Sequence, residues 1–138
     1  MANDLNVRFP GGLKIDVEYK GFVVKTDQPL HEGGENTAPS PVDYFFVSIA
    51  ACAGFYALTF CRERNIPTAG LNVTMTTERG TESKRIEKLT ITVDLPVGFP
   101  DKYRTAIVRA IDHCTVRAYI LRPPRFEIIA RPPAPGQT

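Results

Sequence analysis

The sequence contains no tryptophan, only two histidines and only three cysteines in 138 residues. The cysteines are widely spaced and include no Cys-x-x-Cys pair, whereas structural zinc sites use such pairs together with histidines. Because so few metal-ligating side chains are available, we expect neither a metal site nor a bound cofactor.

The chain also lacks the apolar stretch that begins a secretory signal. Its first ten residues, MANDLNVRFP, include the early acid Asp4 and no run of large apolar side chains. We therefore expect a cytoplasmic protein, a compartment in which cysteines stay reduced unless they carry out redox chemistry.

Charge of one sign is not in excess. The formal net charge is +2, with ten basic and twelve acidic residues in positions 1–100 and seven basic and three acidic residues after them. The basic side chains are scattered and do not alternate with aromatic ones, which indicates a solvated surface rather than a nucleic-acid interface. We expect no nucleic-acid partner.

The most informative stretch is an uncharged run of 18 residues between Asp43 and Arg62. Ser40 is a good helix N-cap, and Pro41 and an acid at Asp43 fit the first turn. Pro67 prevents continuation. These signals predict one long helix over residues 40–66. A helix that is apolar on all sides is either buried or spans a membrane. Because its ends look like those of a globular helix, we expect a buried central helix and no membrane contact.

The remaining segments read as strands, a second helical region and turns. Alternating apolar residues predict strands near residues 7–9, 13–19 and 22–26, then a long polar loop up to residue 39. After the central helix, residues 70–131 read as a strand hairpin, a helical region that either continues past Cys114 or restarts at Thr115, and a last strand at 125–130. Residues 132–138 read as a loose tail. This order predicts a single α+β domain over residues 1–138.

The three cysteines differ in their expected positions. Cys52 and Cys61 are nine residues apart on one helix, so they face opposite ways and Cys61 is expected to be a packing residue. Cys52 and Cys114 can meet if the two helical regions pack together. They are then either two core cysteines or a redox pair. A reactive Cys52 needs a cation near it, and the candidates are Arg8, Lys14, His31 and Arg117.

Four segments resemble the OsmC/Ohr-like family. They are GFVVKTDQP before the glycine-bearing loop, APSPVDYFFVSIAACAG, the strand hairpin that follows, and DHCTVRAYI. Together they cover about Gly21 to Ile129 in the same order as in the family. The spacing from Pro41 to Cys52 is the most specific of these features.

The resemblance implies an OsmC-like fold, in which antiparallel sheets wrap around the long central helix of an intertwined homodimer. It implies a thiol-dependent peroxidase that reduces organic hydroperoxides. By position, Cys52 corresponds to the peroxide-attacking cysteine and Cys114 to the resolving cysteine. The partners implied are an organic hydroperoxide and an external dithiol reductant.

Two departures from the family pattern favour the broader OsmC-like branch over Ohr proper. The Ohr branch has a glutamate directly after the proline, where this chain has Val42 and places the acid one residue later at Asp43. The second cysteine is usually followed by proline, and here by Thr115. The alternative function is therefore a non-catalytic dimer of the same fold that binds a small apolar ligand at its interface and has structural cysteines.

Overall fold

A computed structural model describes residues 4–136 of the chain and has the predicted α+β architecture. Single turns of 3₁₀ helix occupy Leu30–Glu32 and Asp101–Tyr103. The longer elements follow in chain order: β1 Asn6–Gly11, β2 Lys14–Tyr19, β3 Phe22–Thr26, α1 Pro41–Glu63, β4 Asn72–Arg79, β5 Ile86–Asp94, α2 Arg104–Asp112 and α3 Thr115–Leu121.

The strands form two separate antiparallel sheets. The first has the order β1-β2-β3, and the second is the hairpin β4-β5. Val17 pairs with Val24 in the first sheet, and Val73 pairs with Val93 in the second. Alternating apolar residues place one face of β4-β5 against the helices, as a half-buried antiparallel sheet requires.

The start of α1 is fixed by reciprocal capping. The Ser40 side chain accepts a hydrogen bond from the Asp43 backbone N–H, and the Asp43 carboxylate accepts one from the Ser40 backbone N–H at 2.9 Å. This capping box satisfies two donors that a helix start otherwise leaves free. At the other end, α1 stops at Glu63, three residues before the predicted end, and Asn65 takes the left-handed conformation with φ 53°.

The core lies between one face of α1, the helix α2 and the inner face of β4-β5. Phe60 stacks edge-on against Tyr103 with ring centroids 5.9 Å apart, and the guanidinium of Arg64 covers the Phe60 ring at 3.6 Å. The buried members of this core are Ala53, Ala57, Phe60, Cys61, Ile66, Ile107 and Ile111.

The opposite face of α1 is open in a single chain. By length and composition α1 could cross a membrane, and only 28% of its most apolar stretch is buried. Val47 is 52% exposed and Phe55 58% exposed. The chain exposes 11178 Å² in total, whereas a compact monomer of 15.3 kDa exposes about 7100 Å². The single chain therefore leaves much apolar surface uncovered.

The second helical region is broken, and the last predicted strand is absent. The helix stops at Asp112 and restarts at Thr115, which is one of the two predicted alternatives. The prediction of a strand at residues 125–130 is wrong for the described structure, because that segment finds no strand beside it to pair with. Residues 132–136 contain no helix or strand, and the rest of the predicted tail lies outside the described residues.

A buried carboxylate shapes the loop that leads into α1. Asp27 is 1% exposed, and its two oxygens accept hydrogen bonds from the backbone N–H of Gln28 and from both the N–H and the hydroxyl of Thr37. The backbone N–H of Asp27 also donates to Pro39. These bonds close the loop and place Ser40 at the start of the helix.

Candidate functional site

The structure brings Cys52 and Cys114 together where α1 meets the break between α2 and α3. Cys52 lies in the middle of α1 and is partly buried, whereas Cys114 is the N-cap of α3 and only 4% exposed. Cys114 has the extended conformation, φ −52° and ψ 132°, which ends one helix and starts the next. Both cysteines are free thiols.

The surroundings of Cys52 favour its thiolate. Burial acts to raise the pKa of Cys52, but it is outweighed by hydrogen bonds from the Cys114 thiol and from the backbone N–H groups of Val116 and Thr115. The net effect lowers the pKa of Cys52 below its ordinary value of 9.0. Hydrogen bonds to the charged form are one of the general causes of such a shift.

The surroundings of Cys114 have the opposite effect. Burial raises the pKa of Cys114, and the thiol of Cys52 raises it further, while the backbone N–H groups of Arg117 and Val116 oppose the shift. Two thiols in contact cannot both ionise easily, because like charges repel. The contact therefore favours the charged form of Cys52 and the neutral form of Cys114.

The four cations suggested by the sequence are all engaged with carboxylates. Arg8 pairs with Glu18, Lys14 with Glu35, His31 lies 3.8 Å from Glu32, and Arg117 pairs with Asp112 at 3.5 Å.

Backbone N–H groups at the start of α3, together with the Cys114 thiol, lower the pKa of Cys52 in the described structure. These donors were not among the candidates predicted from the sequence, all of which were side-chain cations. The signal that could have revealed them was the predicted restart of the helix at Thr115, because the first N–H groups of a helix have no partner within it.

Tyr56 was also missed as a neighbour of the site. Its hydroxyl shares a hydrogen bond of 2.8 Å with the hydroxyl of Thr115, the residue after Cys114. Tyr56 lies four residues after Cys52, so both side chains are on the same side of α1. The spacing of four residues between Cys52 and Tyr56 on a predicted helix was the signal that could have placed Tyr56 near the site.

A largely apolar cavity of about 430 Å³ opens beside Cys114. Its wall is built from Ile49 of α1, from β5, from α2 and from α3, and it includes three charged side chains. The lining residues are Ile49, Leu89, Ile91, Val93, Val108, Arg109, Ile111, Asp112, Cys114, Arg117 and Ile120. The cavity has the size and mixed lining that small organic ligands use.

Cys61 lies apart from this site. It is completely buried in the core, and burial raises the pKa of its thiol while the charge of Arg64 opposes the shift. The prediction that Cys61 is a packing residue is confirmed. Within residues 4–136, no group of three or more His, Cys, Asp or Glu side chains is arranged to hold a metal ion.

Comparison with known proteins gives a match to one protein family. The family described as OsmC-like protein matches residues 33–129, which is more than half of the chain and includes both Cys52 and Cys114. The chain matches no protein in the curated set.

Several solved structures are similar. A Psychrobacter arcticus protein, named for an assigned role in osmotic stress and detoxification, aligns with a TM-score of 0.69 and 22% identity over 83% of this chain and 85% of its own. An OsmC-like protein of Mycoplasma pneumoniae aligns with a TM-score of 0.67 and 12% identity over 88% of each chain. An organic hydroperoxide resistance protein of Legionella pneumophila aligns with a TM-score of 0.56 and 19% identity over 87% of this chain and 89% of its own. At these identities the likeness establishes the fold.

Proposed function

The chain belongs to the OsmC-like protein family, and on this premise we propose that it is a cytoplasmic thiol-dependent peroxidase that reduces organic hydroperoxides. The observation that carries the proposal is the pair of contacting thiols whose pKa values move apart, Cys52 downward and Cys114 upward. Such a pair provides one nucleophile and one resolving partner. The name of the Legionella pneumophila protein supports the choice of substrate class.

The first step is attack by the Cys52 thiolate on one oxygen of the hydroperoxide. A sulfur–oxygen bond forms, the O–O bond breaks, and the alkoxide leaves and takes up a proton to become the alcohol. Cys52 is oxidised by two electrons to a sulfenic acid, and the hydroperoxide is reduced by two.

The second step is condensation of the sulfenic acid with Cys114. The Cys114 sulfur attacks the Cys52 sulfur, a disulfide forms, and the oxygen leaves as water with the Cys114 proton. Because the two side chains already interact, the pair needs little movement to reach bonding distance. An external dithiol then reduces the disulfide by thiol exchange.

We further propose that the working form is an intertwined homodimer. Within one chain the outer face of α1 is apolar and open, and the first sheet makes no extensive contact with the helices. The apolar C-terminal segment is also open, with Phe126 81% and Ile128 93% exposed. The surface in excess of a compact monomer is about 4000 Å² for each chain, which is more than enough for an obligate dimer, since such dimers bury about 2000–5000 Å² or more over both partners together.

The second candidate function is binding of a small apolar ligand by a non-catalytic dimer. The cavity beside Cys114 favours it, because most of its wall is aliphatic. However, Arg109, Asp112 and Arg117 also line the cavity, and the contacts of Cys52 favour a thiolate that a structural cysteine has no need of. The peroxidase is therefore the better supported proposal.

The test is to treat the fully reduced protein with micromolar cumene hydroperoxide and count free thiols after denaturation. The wild type is expected to lose the thiols of Cys52 and Cys114 and to keep that of Cys61. Cys114→Ser is expected to stop at a sulfenic acid that dimedone traps on Cys52, because no resolving thiol remains. Cys61→Ser is the matched control and should consume peroxide like the wild type.

Two outcomes contradict the peroxidase. One is a wild-type protein that keeps all its thiols at micromolar peroxide. The other is a Cys52→Ser variant that consumes peroxide as fast as the wild type. Retention of thiols together with saturable binding of a small apolar probe would support the ligand-binding candidate instead.

A further inference from the structure

We propose that Tyr56 and Thr115 form a hydroxyl clasp that holds α3 against α1 and so positions the Cys52–Cys114 pair. The clasp is the 2.8 Å hydrogen bond between the two hydroxyl groups. The two hydroxyl groups bond to each other and not to either sulfur, so both side chains have a positioning role, while Thr115 also contributes its backbone N–H to Cys52. Their effect on peroxide reduction rests on the proposed function, whereas their effect on the state of Cys52 does not.

The place of the clasp follows from the two helices. Tyr56 is four residues after Cys52 and lies on the same face of α1, whereas Thr115 directly follows Cys114 and is the first residue of α3. The clasp therefore crosses between the helices one turn away from the point at which the two thiols meet.

The helix α3 has few other means of holding its position. It is seven residues long, none of its residues is buried, and the side chain of its N-cap makes no capping hydrogen bond to the helix. Apart from the contacts of Cys114, its polar link to α2 is the exposed pair of Arg117 with Asp112. An isolated helix of this length is unstable in water, so its place depends on contacts with its neighbours. Tyr56, by contrast, packs against the hydrophobic core, which makes it a firm anchor.

Displacement of α3 would act directly on the thiol pair. The backbone N–H groups of Thr115 and Val116 and the thiol of Cys114 are the donors to Cys52, and all three belong to the start of α3. Loss of the clasp removes no donor from Cys52 but loosens all of them together. Hydrogen bonds weaken steeply with distance and misalignment, so a small movement is sufficient.

The test measures alkylation of Cys52 by iodoacetamide in the full-length reduced protein as a function of pH, with the modified peptide quantified by mass spectrometry. Tyr56→Phe and Thr115→Val each remove one hydroxyl with little change of shape. We expect each to move the midpoint of Cys52 alkylation to higher pH and to slow alkylation at pH 7 by about threefold to tenfold. Thr115→Ser keeps the hydroxyl and is expected to behave like the wild type.

Alkylation of Cys52 in the double variant Tyr56→Phe/Thr115→Val should be no slower than in either single variant, because each single substitution already breaks the same hydrogen bond. The clasp is refuted if both single variants titrate like the wild type, or if their effects add. A residue that only stabilises the fold would lower the melting temperature and leave the alkylation midpoint in place, which also refutes it.

Failure of the clasp and failure of the peroxidase are distinguishable. If the wild type does not consume cumene hydroperoxide, the proposed function fails, yet the alkylation profiles still test whether the clasp affects Cys52. If the wild type consumes peroxide and the variants oxidise Cys52 at the wild-type rate, the clasp fails and the peroxidase stands.

Discussion

The three cysteines are chemically the same and differ only in what surrounds each sulfur. Cys61 is enclosed by the core, Cys114 is buried and donates to its neighbour, and Cys52 receives hydrogen bonds. Burial alone raises the pKa of a thiol, so a lowered pKa requires hydrogen-bond donors or a nearby cation that outweigh burial. At Cys52 the donors of the described structure are first the Cys114 thiol and then two backbone N–H groups, so substitution of a charged side chain would remove none of them.

Asp27 is a carboxylate whose pKa is clearly displaced from its ordinary value. The hydroxyl and N–H of Thr37 hold the pKa of its carboxyl at about 2, against the opposing effect of burial. Below the ordinary carboxyl pKa of 3.8 the unfolded chain takes up a proton that the folded chain still excludes. The stabilisation is therefore fully present above that value and is lost as pH falls towards 2.

We predict that Asp27→Asn lowers the melting temperature at pH 7, on the order of 5 °C, because a neutral amide accepts hydrogen bonds less strongly than a carboxylate. The difference in melting temperature between the variant and the wild type should become smaller as the pH falls from 4 to 2. Thermal unfolding followed by circular dichroism across pH 2–7 measures both effects. Glu82→Gln, on the exposed turn between β4 and β5, is the control. A difference in melting temperature between Asp27→Asn and the wild type that stays constant below pH 4 would contradict the prediction.

At the scale of elements, two glycines, which have no side chain, have different roles in the loop before α1 and in α1 itself. Gly34 sits in the loop before α1, where an added Cβ would lie 2.0 Å from the backbone oxygen of Gln28. Gly54 sits in the middle of α1, where an added Cβ meets nothing within 4 Å. The first glycine is required by close approach of two backbone segments, whereas the second only weakens the helix.

The two glycines predict opposite effects of the same substitution. Gly34→Ala should destabilise the protein by about 1–3 kcal/mol, because the loop must move to admit the methyl group. Gly54→Ala should stabilise it by up to about 1 kcal/mol through helix propensity. Urea unfolding at 25 °C measures both free energies. A Gly34→Ala variant as stable as the wild type would show that the loop can rearrange at no cost.

At the scale of the whole molecule, the single chain exposes more surface than its size warrants. The core formed by α1, α2 and β4-β5 covers one face of α1 and leaves the other face to solvent. Large apolar patches of this kind mark interaction sites in soluble proteins. The proposed homodimer gives this face, the first sheet and the C-terminal segment a common partner.

We predict that the wild type sediments at about twice 15.3 kDa and that Val47→Asp weakens this association by at least about 100-fold, because it buries an unpaired charge on the outer face of α1. Analytical ultracentrifugation across a dilution series measures the dissociation constant. Thr81→Asp adds the same charge on the exposed turn after β4 and should associate normally. A monomeric wild type, or a Val47→Asp variant that dimerises like it, would contradict the homodimer.

Local sequence signals determined most of the elements. The sequence left open whether the helix continues past Cys114 or restarts at Thr115. The capping box at Ser40 and Asp43 and the alternation in β2 and in β5, however, depend on residues within a few positions of one another. Such signals act through the nearest backbone and can be read directly from the chain. Helical spacing alone was also sufficient to remove Cys61 from the candidate site.

Only the tertiary structure decided what each thiol touches and what remains without a partner. The donors to Cys52 lie more than sixty residues away in the chain, and the clasp between Tyr56 and Thr115 joins segments 59 residues apart. The segment 125–130 has the pattern of a strand but finds no partner within the chain. A strand needs a neighbour to satisfy its backbone, and a thiol needs a contact to change its pKa, so both properties arise only when distant parts of the chain meet.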